Sequence, residues 1–215
     1  MRKIEGLRMS DVDAGIRFWL ASGWPKDFHN AAYRRFADEN HDRFSDDWWN
    51  RFMEPALIRW QALRGLRGFT RARLRANFEA HADGLRQLWS QLTEVIHDET
   101  EIDDVEWEDV RTFTEVVAQL KPTTSPVLTS KFCHFQLPKV FPIVDNWAMG
   151  GSVSYAAHFA RVQGVWEATP PATRRRLVDW LRAEIATEPY DGYPWTNKVV
   201  ELGLIGRRQL ARSHQ

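Results

Sequence analysis

A chain of 215 residues with an ordinary apolar fraction has material for one domain with its own core, or for two small lobes. Its 29 basic and 29 acidic residues sum to zero, which excludes a general attraction to polyanions from net charge alone. One cysteine, Cys133, excludes an intrachain disulfide framework and a cysteine-rich zinc site.

The opening MRKIEGLRMSDVD lacks the apolar core of a signal peptide, and no apolar run approaches the roughly 18 residues of a bilayer span. The expectation is a soluble, cytoplasmic protein with no membrane partner. Ser45-Asp46-Asp47 reads as an N-cap and acidic first turn leading into Trp48, Trp49, Phe52 and Met53, with Pro55 kinking or dividing that helix. Thr70 caps a longer helix in which Leu74, Phe78, Leu85, Leu88, Trp89 and Leu92 recur at helical spacing. A third run carries Trp107, Val110, Thr114, Val117 and Leu120 and stops before Pro122. Thr169-Pro170 opens a helix bearing Leu177, Trp180, Leu181 and Ile185, and a last, short helix follows Trp195 with Val199, Leu202 and Ile205. No alternating strand pattern or repeat interrupts these. The expectation is an all-α fold: a single helical domain over 1–215, or two lobes packed around 125–147 with a cleft between them.

The eleven tryptophans, from Trp19 to Trp195, read first as core filling, with one or two lining a cleft where they stack on a planar ligand. Charge is unevenly laid out. Between Arg59 and Arg86 the chain holds seven arginines, Arg71, Arg73 and Arg75 among them, against Glu79 and Asp83. A second basic cluster is Arg174, Arg175 and Arg176, and a third is Arg207, Arg208 and Arg212. Such faces are either solvated and cross-neutralised or track phosphates. The acidic stretch from Glu94 to Asp109 reads as a solvated loop and helix start. His29, His41, His81 and His97 have no metal-ligand spacing, and no metal or cofactor is implied.

Chemistry concentrates in SPVLTSKFCHFQLPKVFPIVDNW, residues 125–147. Ser125-Pro126 is a helix start, Leu128, Phe132 and Phe135 share one face, and Pro138 follows the helix end. Lys131 lies close to that apolar face, either a snorkelling lysine or one whose surroundings make it a nucleophile. The extended stretch Lys139 to Val144 delivers Asp145 as the N-cap of a helix that begins at Asn146 and is soon interrupted by Gly150-Gly151. A helical rise of about 1.5 Å per residue followed by an extended return of about 3.3 Å per residue brings Asp145 back beside Lys131. The pair is then a salt bridge or an active site.

This arrangement resembles the helix-hairpin-helix DNA glycosylases, the 8-oxoguanine glycosylase branch in particular. Pro126-Val127-Leu128-Thr129-Ser130-Lys131 matches the hairpin end and its lysine, and Phe141-Pro142-Ile143-Val144-Asp145 matches the turn and its aspartate. The sequence departs from that pattern in having Val127 and Thr129 where the hairpin glycines stand, and in a shorter interval between lysine and aspartate.

The resemblance implies a monomeric enzyme acting on DNA that hydrolyses the N-glycosidic bond of a flipped, modified base. Asp145 would be catalytic, with Lys131 a nucleophile or a positioning group. The backbone would be held by Arg71, Arg73, Arg75, Arg174, Arg175, Thr129 and Ser130, and stacking or wedge roles would fall to Trp147, Tyr193 and Trp195. An unusual base, such as a hypermodified phage base attacked in antiviral defence, is the extension. Two other readings stay open: a non-catalytic helical DNA-binding or interaction module with a structural Lys131–Asp145 pair, and another enzyme, including a nuclease.

Overall fold

The computed structural model describes residues 4–38, 42–63, 69–121, 126–149 and 153–213. Among them the protein is all-α, without strands. The helices are α1 (Met9–Ala21), α2 (Asn30–Asp38), α3 (Asp46–Trp48), α4 (Glu54–Arg59), α5 (Arg71–Val95), α6 (Trp107–Gln119), α7 (Pro126–Gln136), α8 (Asn146–Met149), α9 (Tyr155–Glu167), α10 (Pro171–Glu184) and α11 (Trp195–Ser213). None is long and apolar enough to cross a membrane.

Local signals account for several boundaries. Ser45 Oγ accepts from the Trp48 N–H and Thr70 Oγ1 from the Arg73 N–H, each satisfying a donor that a helix start leaves unpaired. Between α3 and α4 the backbone widens into a π-helical turn, Trp49–Met53, just before Pro55. Pro55 has no N–H to continue the α ladder, and the ladder widens just before it while the helical run continues from Asp46 to Arg59. Ser125, Pro122, Gly150, Gly151 and His41 lie outside the described residues.

Two expectations need correcting. The helix expected at Thr169-Pro170 begins at Pro171, because Thr169 is turned inward: its hydroxyl donates to the Val165 carbonyl and accepts from the Leu7 N–H. The helix after Trp195 is not short. α11 runs for 19 residues and is buried continuously from Thr196 to Gly206. A helix enclosed on every side loses the one-sided periodicity by which it is recognised in sequence.

α11 packs along α1, which buries Val12, Ile16 and Trp19. Two glycines permit this approach. A Cβ on Gly15 would stand 1.9 Å from the Leu202 carbonyl oxygen, and one on Gly206 would stand 1.8 Å from that of Asp11. Backbone therefore meets backbone at this crossing, where only glycine fits. Buried Asp11 accepts from the Arg8 N–H and from Arg207 Nε, both at 3.0 Å, locking the same crossing electrostatically. The α1–α11 pair carries Trp19, Lys198 and Glu201 to one place, behind the Lys131 and Asp145 segment.

Candidate active site

The stretch that ends at Asp145 is held group by group. His134, on α7, donates Nδ1–H to the Phe141 carbonyl at 2.6 Å. The Tyr155 hydroxyl donates to the Pro142 carbonyl at 3.1 Å, and His158 donates Nε2–H to the Ile143 carbonyl at 3.0 Å. The Val144 N–H donates to Ser130 Oγ at 3.0 Å, and that hydroxyl donates onward to the Val127 carbonyl. Every backbone carbonyl from Phe141 to Ile143 thus has a side-chain partner, which suits an extended segment buried without a sheet.

These bonds fix protonation. A carbonyl only accepts, so His134 carries its proton on Nδ1, and Nε2 accepts from the Tyr33 hydroxyl at 2.8 Å. Burial, then the charge of Lys198, lowers the His134 pKa to about 3. Burial, then Arg161, lowers that of His158 to about 4. Both rings are therefore neutral near pH 7.

Asp145 caps α8: its Oδ1 accepts from the N–H groups of Trp147 at 2.9 Å and Ala148 at 3.0 Å. Lys131 lies within α7, only 7% exposed, and its Nζ donates to the Trp60 carbonyl. It does not snorkel to the surface. The Ser130–Val144 bond joins the residue before Lys131 to the residue before Asp145. Lys131 and Asp145 line one cavity of about 450 Å³.

The rest of the wall comes from distant parts of the chain. Trp19, Trp24 and Trp60 supply aromatic surface, Arg35 and Arg59 positive charge, and Asp27 and Glu201 negative charge, with His29 and Gln61 between them. Trp19 is fixed by its Nε1–H, which donates to the Pro25 carbonyl at 2.8 Å, and Trp24 packs edge-on against it at 4.6 Å. Trp60 ends α4. The Ala62 N–H reaches back to the Leu57 carbonyl and the Gln61 N–H to that of Ile58, a Schellman closure with Gln61 at φ +57°. Glycine is the usual residue at that left-handed position, and here a side chain that lines the cavity takes it.

Behind the cavity lies a buried ion pair that sequence reasoning missed. Lys198, 1% exposed, meets Glu201 at 2.5 Å and sits over the Trp19 ring at 4.8 Å. The signal was present: a lysine and a glutamate three apart in the otherwise apolar KVVELGLIG fall on one face of an enclosed helix.

Other expected site residues lie elsewhere. Pro126 to Lys131 is not a hairpin but the first turns of α7, so Thr129 and Ser130 are buried and offer nothing to a phosphate. That helix is buried on all sides rather than along one face. Tyr193 is fully buried, with its hydroxyl on the Phe28 carbonyl, and cannot stack on a ligand. Trp195 is covered by the Arg182 guanidinium at 4.8 Å. Arg75 is engaged by Asp46 at 3.0 Å and Glu79 at 2.6 Å. Arg174 donates to the Thr169 and Glu167 carbonyls and lies over Trp166, closing the end of α9.

Arg71, Arg73 and Arg175 are exposed. So is Trp147, 65% exposed, two residues past Asp145 and packed on Phe18 at 5.5 Å and on the cavity residue Trp24 at 6.5 Å. Arg208 donates to the Asn146 and Trp147 carbonyls, bracing the short helix that Asp145 caps.

Most of the stretch from Glu94 to Asp109 is exposed, but Glu101 is half-buried, and burial raises its pKa to about 7. Among the described residues no group of three or more His, Cys, Asp or Glu gathers to hold a metal ion. Comparison of the chain with protein-family models, with curated proteins and with solved structures gives no match.

Proposed function

We propose that the protein is a DNA glycosylase that takes a flipped, modified base into the cavity shared by Lys131 and Asp145. The observation that carries this reading is their convergence: two residues 14 positions apart, on separate elements tied by the Ser130–Val144 bond, line one aromatic-walled pocket. Trp24 and Trp60 give a planar base its stacking surface, and exposed Trp147 stands beside the wall where a wedge would enter the duplex. Arg35 and Arg59 bring positive charge to the same cavity. Pockets for flipped bases are snug, and about 450 Å³ falls within the roughly 300–1,000 Å³ of small-molecule sites, which suits a base carrying a substituent. As an extension of this reading we propose a hypermodified base of the kind phage DNA carries as the substrate class, with a defence role.

The chemistry follows from where the charges sit. As the C1′–N bond breaks, the base leaves with the bonding pair and positive charge develops on the deoxyribose, where the Asp145 carboxylate stabilises it. Lys131, on giving up the proton that the departing base takes, adds through Nζ to C1′. The added nitrogen passes a proton to O4′ as the C1′–O4′ bond opens, leaving a Schiff base that water hydrolyses to the abasic sugar and free Lys131. Borohydride reduces such an imine, so wild-type protein incubated with substrate DNA should give a covalent protein–DNA adduct, absent in Lys131→Ala. Base release that persists in Lys131→Ala without any adduct would assign the attack to water and leave Lys131 a positioning residue. An adduct that survives in Lys131→Ala would remove Lys131 from the chemistry.

A further inference from the structure

His29 combines two costs at one place in the cavity wall. Its backbone is left-handed, φ +69°, directly after Phe28 at φ +48°. Such a conformation is strained for a residue with a side chain and persists where its surroundings enforce it. The enforcement is visible: Asp27 Oδ1 accepts from the His29 N–H at 3.1 Å and Oδ2 from the Ala31 N–H at 2.9 Å. Asn30 meanwhile ties the start of α2 to Thr187, Glu188 and Tyr190. The ring lies 3.9 Å from that of Trp60 and edge-on to Trp19 at 4.9 Å. Its Nδ1 is enclosed and has no hydrogen-bond partner. A phenyl ring would fill the same slot between the tryptophans with no nitrogen left unpaired, so packing does not account for a histidine here. Burial, and then the charges of Lys198 and Lys131, push the His29 pKa well below its ordinary value, so the ring is neutral.

An enclosed N–H without a partner is rarer and costlier than an enclosed lone pair. We propose that His29 is the residue that reads the base: its proton rests on Nε2 and is donated into the cavity, to a carbonyl oxygen or ring nitrogen of a heteroaromatic ligand stacked beside Trp60. This assignment rests on the reading of the cavity as a base pocket, and it adds the group that discriminates among bases. Trp24 and Trp60 stack on any planar ring, whereas a fixed N–H rejects a base that presents a donor or a methyl group there.

The test uses the full chain in the Asp145→Asn background, which keeps the α8 cap and blocks turnover. Binding is read from tryptophan fluorescence. The probes are short duplexes carrying at one position an oxidised guanine, a hydroxymethylated pyrimidine, a glucosylated hydroxymethylcytosine or a tetrahydrofuran abasic analogue. At least one base-bearing duplex should bind more tightly than the abasic one. His29→Phe should reduce that preference by about 10- to 100-fold and leave abasic binding unchanged. If His29→Phe melts early, His29→Gly, which the positive φ suits, serves for the same comparison.

A preference that survives both variants overturns the assignment, as does a loss that falls equally on the abasic duplex. Failure of every base-bearing duplex to outbind the abasic one overturns it too. The wild-type protein, assayed on the same duplexes for base release, reports on the glycosylase separately. A His29-dependent preference without release keeps the reader and discards the reaction, and release with a His29-independent preference does the reverse.

Discussion

Asp145→Asn should lower single-turnover base release by at least about 1,000-fold while leaving the melting temperature within a degree or two of wild type. Both halves follow from one geometry. Asp145 Oδ1 accepts the two amide bonds that cap α8, and asparagine offers a carbonyl oxygen in the same place. The two residues are near-equal as N-caps, so the helix and the Phe141–Val144 stretch before it should stay as they are. Only the negative charge is lost, and that charge is what a cationic sugar needs in a cavity walled by tryptophan, where electrostatic stabilisation is worth most. Asp145→Ala removes cap and charge together and should also cost about 1 kcal/mol of stability. Single-turnover rates beside thermal melts for the two variants separate these roles. A fully active Asp145→Asn would reduce the residue to its capping function.

Acid should destabilise the protein steeply, and through the same segment. His134 and His158, whose pKa values burial lowers to about 3 and about 4, each hold a carbonyl of the stretch that delivers Asp145. In the unfolded chain a histidine takes up a proton near pH 6.5. Between that pH and the folded values the unfolded state binds protons that the folded state refuses. Stability therefore falls as pH falls through this window, by up to about 1.4 kcal/mol per pH unit for each ring.

From about pH 6.5 to about pH 4 this amounts to roughly 3 kcal/mol per histidine, a large part of a typical domain's 5–15 kcal/mol. His29, lowered by burial and then by the charges of Lys198 and Lys131, adds in the same direction, whereas Glu101, raised by burial to about 7, offsets about one ring over the same window. Urea midpoints across this range should drop steeply, and His158→Gln, which keeps a donor for the Ile143 carbonyl, should flatten the slope. A midpoint constant from about pH 7 to about pH 4.5 would mean that these rings are not held neutral in the folded protein.

What was legible in the sequence was local. Ser45, Thr70 and Asp145 announced helix starts because a cap is a side chain bonding two or three residues ahead, and Pro55 announced a disturbance of the α ladder because it lacks a donor. The return of Asp145 to Lys131 could be reasoned from the rise of a helix and of an extended strand. The bond that secures it could not. Ser130 looked like a polar residue available to DNA, and only the packed structure shows its hydroxyl enclosed against Val144.

The cavity wall was beyond reach for a related reason. Trp19, Trp24 and His29 lie more than 100 residues from Lys131, and they arrive there because Gly15 and Gly206 let α1 and α11 touch backbone to backbone. Two small residues in two separate helices carry no mark that they face each other. Two of the clustered arginines misled in the opposite sense. Arg75 and Arg174 suggested a phosphate track, yet each is consumed by its own neighbours, while Arg35 and Arg59 reach the cavity.

The most direct measurement is mass-spectrometric detection of the free base released from DNA bearing defined modifications, alongside a count of the abasic sites left behind. Wild-type protein should release one base in amounts equal to the abasic sites formed, and Asp145→Asn should release none. DNA left intact across the panel would contradict a glycosylase at the Lys131–Asp145 cavity, and so would strands cut with every base still joined to its sugar.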